Sequence, residues 1–299
     1  MKEDLLQMSD FTLSRGRRDV IKEINWDTIS ASGSDDTEVD DFGDYAVVDN
    51  FLQKPDDFWN AIDLCPAGYE AKVIEAAQKE GKGTNEPTWP GVKQLISTHY
   101  LRGILFDCYK LFIECEFIPH DLDVNLENPS FAFELPTYSL TYAELVTPDM
   151  FCNKNANMPA PGRFDYNAVL FRDGNPNHGI SFYDYVHAGE HYSDLQDLME
   201  INDENLQKEI GEGLNKTMIE EEIVKYENFT GNESFLKSRF VEAKANRLVL
   251  FKGSKWHTYD YNNEGDFHTL TCSINNPPKP KENEGNEFEN PVDEDPLYV

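Results

Sequence analysis

The stretch of residues 246–257 constrains the fold of this chain more than any other. Residues 248–251 (Leu-Val-Leu-Phe) form a continuous apolar run, which is typical of a strand covered on both faces. Lys252, Gly253 and Ser254 follow as a turn signal, and His257 comes soon after that turn. The pattern predicts a buried strand that delivers one histidine. A histidine held in this way by a β-scaffold is a candidate metal ligand, and the alternative is a purely structural histidine.

The charge of the chain restricts the partners that it can have. The 299 residues include 26 Lys and Arg against 56 Asp and Glu, so the formal net charge is −30. Binding to nucleic acid backbones or to anionic membrane surfaces needs a cationic surface, so we expect neither partner. The acidic balance favours solubility, cationic partners or bound divalent cations.

Targeting segments and cysteine motifs are not evident in the sequence. No apolar run has the length of a transmembrane helix, and the start of the chain is too polar for a signal peptide. The cysteines form no CxxC pair, so neither a disulfide framework nor a zinc knuckle is indicated. Cys108 and Cys115 lie in an apolar helical stretch and are predicted to be core thiols.

Three parts of the chain differ in composition. Residues 1–44 are predicted to be an N-terminal arm, with a flexible acidic loop over residues 30–41. Residues 45–276 carry the regular apolar patterns of a folded domain. Residues 277–299 are rich in Pro, Glu and Asp without periodicity, so they are predicted to be a tail without a core of its own.

Helical signals come mainly in the first half of the domain. Pro55 opens a helix over residues 55–62, with acidic residues in its first turn. Apolar residues recur at helical spacing from Val92 to Cys115, which predicts one long helix there. Residues 188–240 are acidic and are interpreted as a partly helical insertion, with a helix at residues 217–226.

Short strands dominate the second half of the domain. After a first strand at 45–48, they are predicted at 131–135, 138–142, 166–171, 179–183, 247–251 and 269–274. The turn residues 173–177 predict that 166–171 and 179–183 form a hairpin. Early helices and late strands predict an α+β domain whose antiparallel sheet folds into a sandwich or barrel.

The order of these segments resembles a known family. The order resembles that of the iron- and 2-oxoglutarate-dependent oxygenases. The segments that carry this resemblance are the strand and helix start of residues 48–55, the Trp-Pro-Gly turn of residues 89–91, the strands 166–171 and 179–183, and residues 246–257 and 270–274. Among these, the chain looks most like the prolyl-hydroxylase-like proteins of bacteriophages. The resemblance covers residues 45–276. It implies a double-stranded β-helix, or jelly roll, with flanking N-terminal helices.

The resemblance also implies an iron site that is degenerate in this chain. In that family a His-x-Asp pair and a distal histidine hold Fe(II), and a basic residue on the last strand binds the 2-oxoglutarate carboxylate. His257 stands at the distal position. Residues 153–165, where the His-x-Asp pair belongs, contain no histidine, and Asp165 is the carboxylate that remains near that strand. The position of the basic residue falls at His268 and Thr269.

Other histidines of the chain are candidate substitute ligands. His120 and Asp123 have the spacing His-x-x-Asp, and they precede the wrong strand. His187 and His191 are four residues apart, as metal ligands on one face of a helix can be, but no third ligand is evident. We interpret these histidines as exposed loop residues. For Asp165, the alternative to a metal ligand is a solvated acid at the start of a strand. For His268, the alternative to a carboxylate-binding residue is an ordinary polar strand residue.

Three functional hypotheses follow from the resemblance. The first is a non-catalytic jelly-roll protein without a cofactor that acts in binding or assembly. It would be a bacteriophage virion component whose partners are other protein subunits or further copies of itself, located in the virion or the host cytoplasm. The second is an active Fe(II)/2-oxoglutarate dioxygenase that hydroxylates a protein or peptide. The third is a barrel that binds another small molecule in the emptied site.

Overall fold

The computed structural model describes most of the chain between residues 23 and 276. The described residues are 23–33, 37–65, 92–118, 135–147, 151–153, 158–201, 206, 208, 223–225, 228–261 and 264–276. The tail predicted from residue 277 and residues 131–134 of the strand predicted at 131–135 lie outside them. Leu135, the end of that predicted strand, begins a 3₁₀ helix instead.

Strands dominate the described residues. In chain order they are β1 (Glu38–Asp41), β2 (Tyr45–Asp49), β3 (Val92–Ile96), β4 (Ser139–Val146), β5 (Phe151–Asn153), β6 (Tyr166–Phe171), β7 (Asn175–His187), β8 (Glu190–Tyr192), β9 (Ile223–Lys225), β10 (Phe235–Ala243), β11 (Leu248–Lys252), β12 (His257–Asp260) and β13 (Phe267–Ile274). The helices are α1 (Trp26–Ile29), α2 (Pro55–Leu64), α3 (Arg102–Glu114) and α4 (Leu195–Met199), with a 3₁₀ helix at Leu135–Tyr138. None of these described helices has the length and apolar character needed to cross a membrane.

Two antiparallel sheets face each other. The larger has seven strands in the order β1-β2-β11-β6-β13-β4-β3, and the smaller has the order β10-β7-β12 with β8 paired to β7. The sheets meet through aromatic residues: the ring centroid of Phe182 lies 5.1 Å from that of Tyr45 and 5.3 Å from that of Phe251. The architecture is α+β with a mainly antiparallel sandwich, as predicted, and it is consistent with a jelly roll.

Helices cover the other face of the large sheet. Phe58 of α2 and Phe112 of α3 are fully buried in one core with Leu250 and Leu270 of the sheet. Burial of such side chains stabilises the fold by roughly 1.5–3 kcal/mol each. The large sheet therefore has an outer face under the helices and an inner face toward the small sheet.

Strand β11 confirms the prediction from its apolar run. It pairs with β2 on one side and β6 on the other, and its residues 248–251 are buried. Cys108 and Cys115 are buried free thiols, as predicted. Helix α2 begins at Pro55, also as predicted.

The helix predicted from Val92 to Cys115 is wrong in its first part. Residues 92–96 form the edge strand β3, and α3 begins only at Arg102. In this stretch Gln94 and Ile96 share one face while Lys93 and Leu95 share the other, which is the period of a strand. A turn separates the two elements, in which the N–H groups of Tyr100 and Leu101 donate to the carbonyls of Ser97 and Thr98.

The hairpin predicted from residues 166–171 and 179–183 is also wrong. Strand β6 pairs with β11 and β13 in the large sheet, whereas β7 pairs with β10 and β12 in the small one. The turn after β6 carries the chain from one sheet to the other. All six residues of β6 are buried, because it is central in its sheet.

Parts of the predicted arm and insertion are regular structure. Residues 38–41, predicted as a flexible loop, form β1 on the edge of the large sheet. Trp26 is buried and stacks on Tyr100. In the predicted insertion, β10 pairs with β7, and residues 223–225 form a strand where a helix was predicted.

Candidate functional site

A tightly packed turn sets the position of His257. The N–H of Gly253 donates to the carbonyl of Asp165 at 2.7 Å, and the N–H of Gly162 donates to the carbonyl of Gly253 at 2.6 Å. A Cβ on Gly253 would lie 1.6 Å from the carbonyl oxygen of Phe164, so only glycine fits this approach. The turn is thereby attached to the segment before β6, and β12 starts at His257.

His257 faces the interior between the sheets. It lies opposite Phe182 across β12 and β7, and its ring centroid is 4.7 Å from that of Phe251 and 6.1 Å from that of Tyr259. Burial lowers the pKa of His257, although its contact with the Lys255 carbonyl acts in the opposite direction. Burial therefore favours the neutral form of the ring.

The tautomer of His257 follows from its hydrogen bond. Its Nδ1 is 2.9 Å from the carbonyl oxygen of Lys255, which can only accept. Nδ1 therefore carries the proton, and Nε2 of the neutral ring keeps its lone pair. The same orientation by a main-chain carbonyl is common in metal-binding histidines.

Asp165 is held by the end of β13. Its carboxylate accepts a hydrogen bond from the N–H of Asn276 at 2.8 Å, and its own N–H donates to the side chain of Asn275 at 3.1 Å. The acid therefore links the start of β6 to the end of β13. The structure gives Asp165 a role in joining these strands, and its assignment as a metal ligand remains a prediction.

His268 and Thr269 lie on opposite faces of β13. His268 is on the outer face, with Nδ1 3.3 Å from a carboxylate oxygen of Asp173. Thr269 is on the inner face and is buried opposite Glu144 of β4. Because neighbouring residues of a strand alternate in direction, only Thr269 of this pair faces the interior.

The other candidate histidines occupy a surface hairpin or lie outside the described residues. His187 ends β7 and His191 is in β8, joined by the tight turn at Ala188 and Gly189. The Nδ1 of His191 is 3.9 Å from a carboxylate oxygen of Asp184. The helical spacing considered for these two histidines does not apply. His120 and Asp123 lie outside the described residues.

A buried carboxylate is the centre of a polar cluster on the inner face that the sequence reasoning missed. Glu144 of β4 lies between Lys93 of β3 and Thr269 of β13 in the strand register. Its Oε1 is 3.5 Å from the Nζ of Lys93. Burial raises the pKa of Glu144 to about 7, against the opposing effect of Lys93.

Two tyrosines and a second threonine extend this cluster. Tyr142 and Thr271 are directly opposite each other. Each lies two residues along its own strand from Glu144 or Thr269, respectively. Burial raises the pKa of Tyr259 well above its usual value, with Tyr142 and Glu144 acting in the same direction. Thr271 is near both phenols, but its Oγ1 makes no hydrogen bond of ordinary geometry.

The inner face is open to solvent beside this cluster. Leu95 is 52% exposed and Leu140 is 37% exposed, although both lie on the face that turns toward the small sheet. The side chain of Lys93 is 47% exposed. We call this part of the inner face the mouth. Its exposed members are Lys93, Leu95 and Leu140, and its other members are Tyr142 and the buried residues Glu144, Thr269 and Thr271.

Aromatic rings fill the interior at the start of β13. The Phe267 ring centroid is 5.9 Å from that of Phe171, 5.4 Å from that of His178 and 6.4 Å from that of Tyr261. Phe267, next to the predicted carboxylate-binding positions, is the residue that faces inward at this end. On β3 of the large sheet, Lys93 lies on the inner face and is paired with Glu144.

The alternation of residues along β4 and β13 indicates the polar cluster of the mouth in the sequence itself. Tyr142 and Glu144 are two apart on one strand, as are Thr269 and Thr271 on another, so each pair shares a face. Polar residues on the buried face of an otherwise apolar strand indicate a site. The pairing of β4 with β13 and β3 was the missing information.

A separate pocket of about 480 Å³ lies on the outer side of the molecule. Its lining residues are Pro55, Asp56, Trp59, Asn60, Arg172, Asp173, Ala245 and Asn246. Arg172 lies over the Trp59 ring at 5.6 Å and makes a bidentate contact with Asp63 at 2.8 and 2.9 Å. The guanidinium is therefore already occupied by an acid.

The side chains around His257 do not fit the three-ligand iron site that the resemblance implies. Within the described part of the chain, no three His, Cys, Asp or Glu residues are grouped so that they could hold a metal ion. The ring neighbours of His257 are aromatic. A facial iron site needs two further donors beside the histidine.

Comparisons with known proteins give only weak structural likeness. No family model matches the chain, and no curated protein matches it at a significant level. Solved structures that align with it include a prolyl-4-hydroxylase from Pseudomonas putida (12% identity, 70% of this chain and 84% of that one, TM-score 0.31). They also include a prolyl 4-hydroxylase structure from Phytophthora capsici (13% identity, 79% and 59%, TM-score 0.29). A third is HygX from Streptomyces hygroscopicus with nickel and 2-oxoglutarate bound (11% identity, 70% and 81%, TM-score 0.31). Because these TM-scores are low, the function must be argued from the residues of this chain.

Proposed function

We propose that this chain is a non-catalytic, oxygenase-like jelly-roll protein that acts in binding or assembly. The observation that carries the proposal is that, among the described residues, the recorded contacts of the His257 ring are with the Phe251 and Tyr259 rings and the Lys255 carbonyl. Iron chemistry of the resembled family needs two more protein donors at this histidine.

The aromatic packing at the start of β13 supports the same proposal. A buried dicarboxylate such as 2-oxoglutarate needs a cation to offset its desolvation. Phe267, Phe171 and Tyr261 occupy that end of the interior. The Lys93 ammonium is already paired with Glu144, so it is a poor second partner for an anionic co-substrate.

We further propose other protein subunits as partners, with a bacteriophage virion as the setting. Strand β10 supports a protein contact, because it lies at an end of the small sheet with Leu236 51% exposed and Phe240 38% exposed. The resemblance to phage-borne proteins supports the virion. Mass spectrometry of purified particles tests the setting, and light scattering of the purified chain tests whether it associates with itself.

The metal content and turnover of the purified chain test the central proposal. The chain is loaded anaerobically with Fe(II), desalted, and analysed for iron by plasma mass spectrometry. Succinate release from 2-oxoglutarate is measured in parallel. We expect iron well below one ion per chain and no succinate above the protein-free control. Stoichiometric iron together with succinate release would overturn the proposal.

An active Fe(II)/2-oxoglutarate dioxygenase is the second candidate. The tautomer of His257 favours it, because the Nε2 of a neutral, oriented imidazole is a competent metal donor. This candidate requires two further ligands that the described residues do not place at His257. If the chain turns over, His257→Ala should abolish succinate release, whereas His187→Ala, on the surface hairpin, should leave it unchanged. Full activity in His257→Ala would exclude His257 as a ligand.

A further inference from the structure

Two edge strands of the sandwich expose side chains of opposite charge. Among the described strands, β1 is the last at one end of the large sheet and β10 is the last at one end of the small sheet. Every residue of β1 is exposed, and three of them are the acids Glu38, Asp40 and Asp41. Strand β10 carries the exposed cations Lys237 and Arg239. An edge strand is a template to which a further strand can be added.

The two edges lie on the same side of the sandwich. The ammonium of Lys244, next to the end of β10, donates to Asp49 at the end of β2 at 2.6 Å. Phe182 of β7, which is opposite Arg239 of β10, stacks on Tyr45 at the start of β2. Strand β10 therefore runs in the direction of β2 and antiparallel to β1.

Both edges also expose large apolar side chains. Val39 of β1 is 47% exposed, and Phe42, directly after β1, is 55% exposed. Leu236 and Phe240 of β10 are the corresponding exposed residues of the small sheet. Single exposed apolar residues are common on protein surfaces, but four along two neighbouring edges indicate a contact surface.

The outward peptide groups of β1 follow from its pairing with β2. The N–H of Phe42 donates to the carbonyl of Tyr45 at 3.0 Å, so the main-chain groups of Phe42 point toward β2. Hydrogen bonding alternates along an antiparallel pair. The peptide groups of Val39 and Asp41 therefore point away from β2.

The outward peptide groups of β10 follow from the pairing of β7. The N–H of Tyr183, which is opposite Lys237, donates to the carbonyl of Trp256 at 3.0 Å, away from β10. Ser181, opposite Phe240, has the same direction by alternation. The peptide groups of Lys237 and Phe240 therefore point away from β7.

One antiparallel register joins the two edges with matching chemistry. It passes over Ser238, where the pairing of β10 with β7 also shifts by one residue. Apolar residues then meet apolar residues, cations meet acids, and residues with outward peptide groups meet each other. The pairs, with the β10 residue first, are Leu236–Phe42, Lys237–Asp41, Arg239–Asp40 and Phe240–Val39.

A two-fold axis along the strands would satisfy both edges at once. Rotation about this axis keeps the strand directions and exchanges the two sheets, so β10 of each copy meets β1 of the other as antiparallel strands. Arg239 and Asp40 are opposite the core residues Phe182 and Val47, so both belong to inner faces. Pairing of β1 with β1 would instead oppose acids to acids.

We propose that two copies of this chain associate through these edges, with the acidic β1 of each copy added to the basic β10 of the other. This inference rests on the proposed function, since it makes assembly the role of the fold, and it names a second copy as the partner. Lys237 is already bound to Asp260 at 2.7 Å. Arg239, which makes no ion pair within the described part of the chain, therefore provides the charge recognition.

The net charge of −30 on each copy does not prevent this contact. At an ionic strength of 0.15 M, charges farther apart than about 8 Å are largely screened from each other. Side chains that are directly opposite on neighbouring strands are closer than this distance. The local pairs therefore outweigh the repulsion between the two chains as wholes.

Analytical ultracentrifugation of the full chain at 0.15 M NaCl tests the inference. Loading concentrations of roughly 1–300 μM bracket a Kd of about 10 μM. We expect a reversible equilibrium between the monomer and a species of twice its mass. A monomer at every concentration would overturn the inference.

Charge reversal at the two edges tests which strands meet. Arg239→Glu and, separately, Asp40→Lys should each raise the Kd about tenfold or more, because the symmetry opposes like charges at two places. The combined variant Asp40→Lys/Arg239→Glu restores the ion pair with its signs exchanged. Its Kd should return to within about threefold of the wild type. A purely structural role of either residue would not produce this recovery.

Arg163→Glu is the matched control. Arg163 is an exposed residue before β6, on neither edge, and its reversal changes the net charge by the same amount as Arg239→Glu. Its Kd should equal that of the wild type, and all variants should keep the wild-type melting temperature. The two single variants lie on different strands, so the test remains if one of them fails to fold.

Each outcome decides the inference. A wild-type Kd in both single variants would overturn the assignment of the edges. A combined variant as weak as the single ones would overturn the pairing of Arg239 with Asp40. The iron and succinate assays decide the proposed function separately. A monomer without iron refutes only this inference, and a dimer that releases succinate refutes only the non-catalytic role.

Discussion

The two halves of the inner face of the large sheet differ although they share one hydrogen-bonded register. One row of directly paired residues crosses the sheet from strand to strand. It begins with Val47 of β2, Val249 of β11 and Val169 of β6, which are covered by the small sheet. The same row continues as Thr271 and Tyr142 of β13 and β4. We call these the apolar half and the polar half.

The comparison shows that burial alone does not separate core from site. Val169 and Thr271 are opposite each other and almost equally buried, yet only Thr271 holds an unsatisfied hydroxyl. On the outer face of the same two strands the paired residues Ala168 and Cys272 are both apolar and buried. In this part of the two strands the contrast between Val169 and Thr271 therefore belongs to the inner face.

The largest expected effect comes from removing a ring of the apolar half. Phe251→Ala should lower the free energy of unfolding by about 3–5 kcal/mol, because the fully buried ring packs between Phe182 and His257. Urea denaturation measures the change. A loss below about 1 kcal/mol would mean that the small sheet does not cover this half as described.

Glu144→Gln tests the polar half through the pH dependence of stability. The pKa of Glu144 is about 7 in the folded state, above the ordinary value of 4.5. Between pH 4.5 and 7 the folded state therefore binds more protons than the unfolded state. The wild-type stability should then fall as pH rises from 4.5 to 7 and stay lower above it. Gln cannot titrate, and the half-exposed Lys93 can be solvated without its partner. At pH 8 the variant should be more stable by on the order of 2 kcal/mol.

Urea titration from pH 4 to 8 gives the free energy of unfolding of the wild type and of Glu144→Gln at each pH. The difference between the two values isolates the contribution of Glu144 from that of other titrating groups. Asp184→Asn, a change at a carboxylate beside the surface residue His191, provides the control. A difference that does not vary with pH would contradict the assignment of a buried, proton-binding carboxylate.

Val169→Thr exchanges the chemistry of the apolar half for that of the polar half. The new hydroxyl would be buried between apolar residues without a partner, so the stability should fall by roughly 1–2 kcal/mol. Thermal and urea unfolding measure the loss. A neutral result would show that this half tolerates polar groups and that the two halves are less distinct than their side chains indicate.

Thr271→Val is the reciprocal exchange and the smallest expected effect. It removes a hydroxyl that has no hydrogen bond, so the stability should change by less than about 1 kcal/mol, in the stabilising direction. The same unfolding assay measures it. A loss larger than that for Val169→Thr would mean that the Thr271 hydroxyl supports the fold.

Elements with a strong local pattern were predictable from the sequence. The apolar run of β11, the alternation of β13 and the Pro55 start of α2 depend on neighbouring residues only. Strand β3 was misread because Val92, Leu95 and Ile96 satisfy helical spacing as well as the strand pattern, and its pairing with β4 decides between them.

The candidate site was less predictable because its parts are distant in sequence. Lys93, Glu144 and Thr269 become neighbours only through the strand order β3-β4-β13. The prediction of a basic position at His268 and Thr269 could not settle which residue faces inward, since this depends on register. His257 was found because a single turn places it.

The closeness of Gly253 to Phe164 bears on how this protein can change under mutation. Position 253 has no functional group, yet any side chain there would collide with the backbone carbonyl of Phe164. In a saturation library, this glycine should be among the least replaceable positions, while the exposed rim residues Leu95 and Leu140 should accept many substitutions. Selection for a new ligand would therefore vary the rim of the barrel and leave the turn before His257 unchanged.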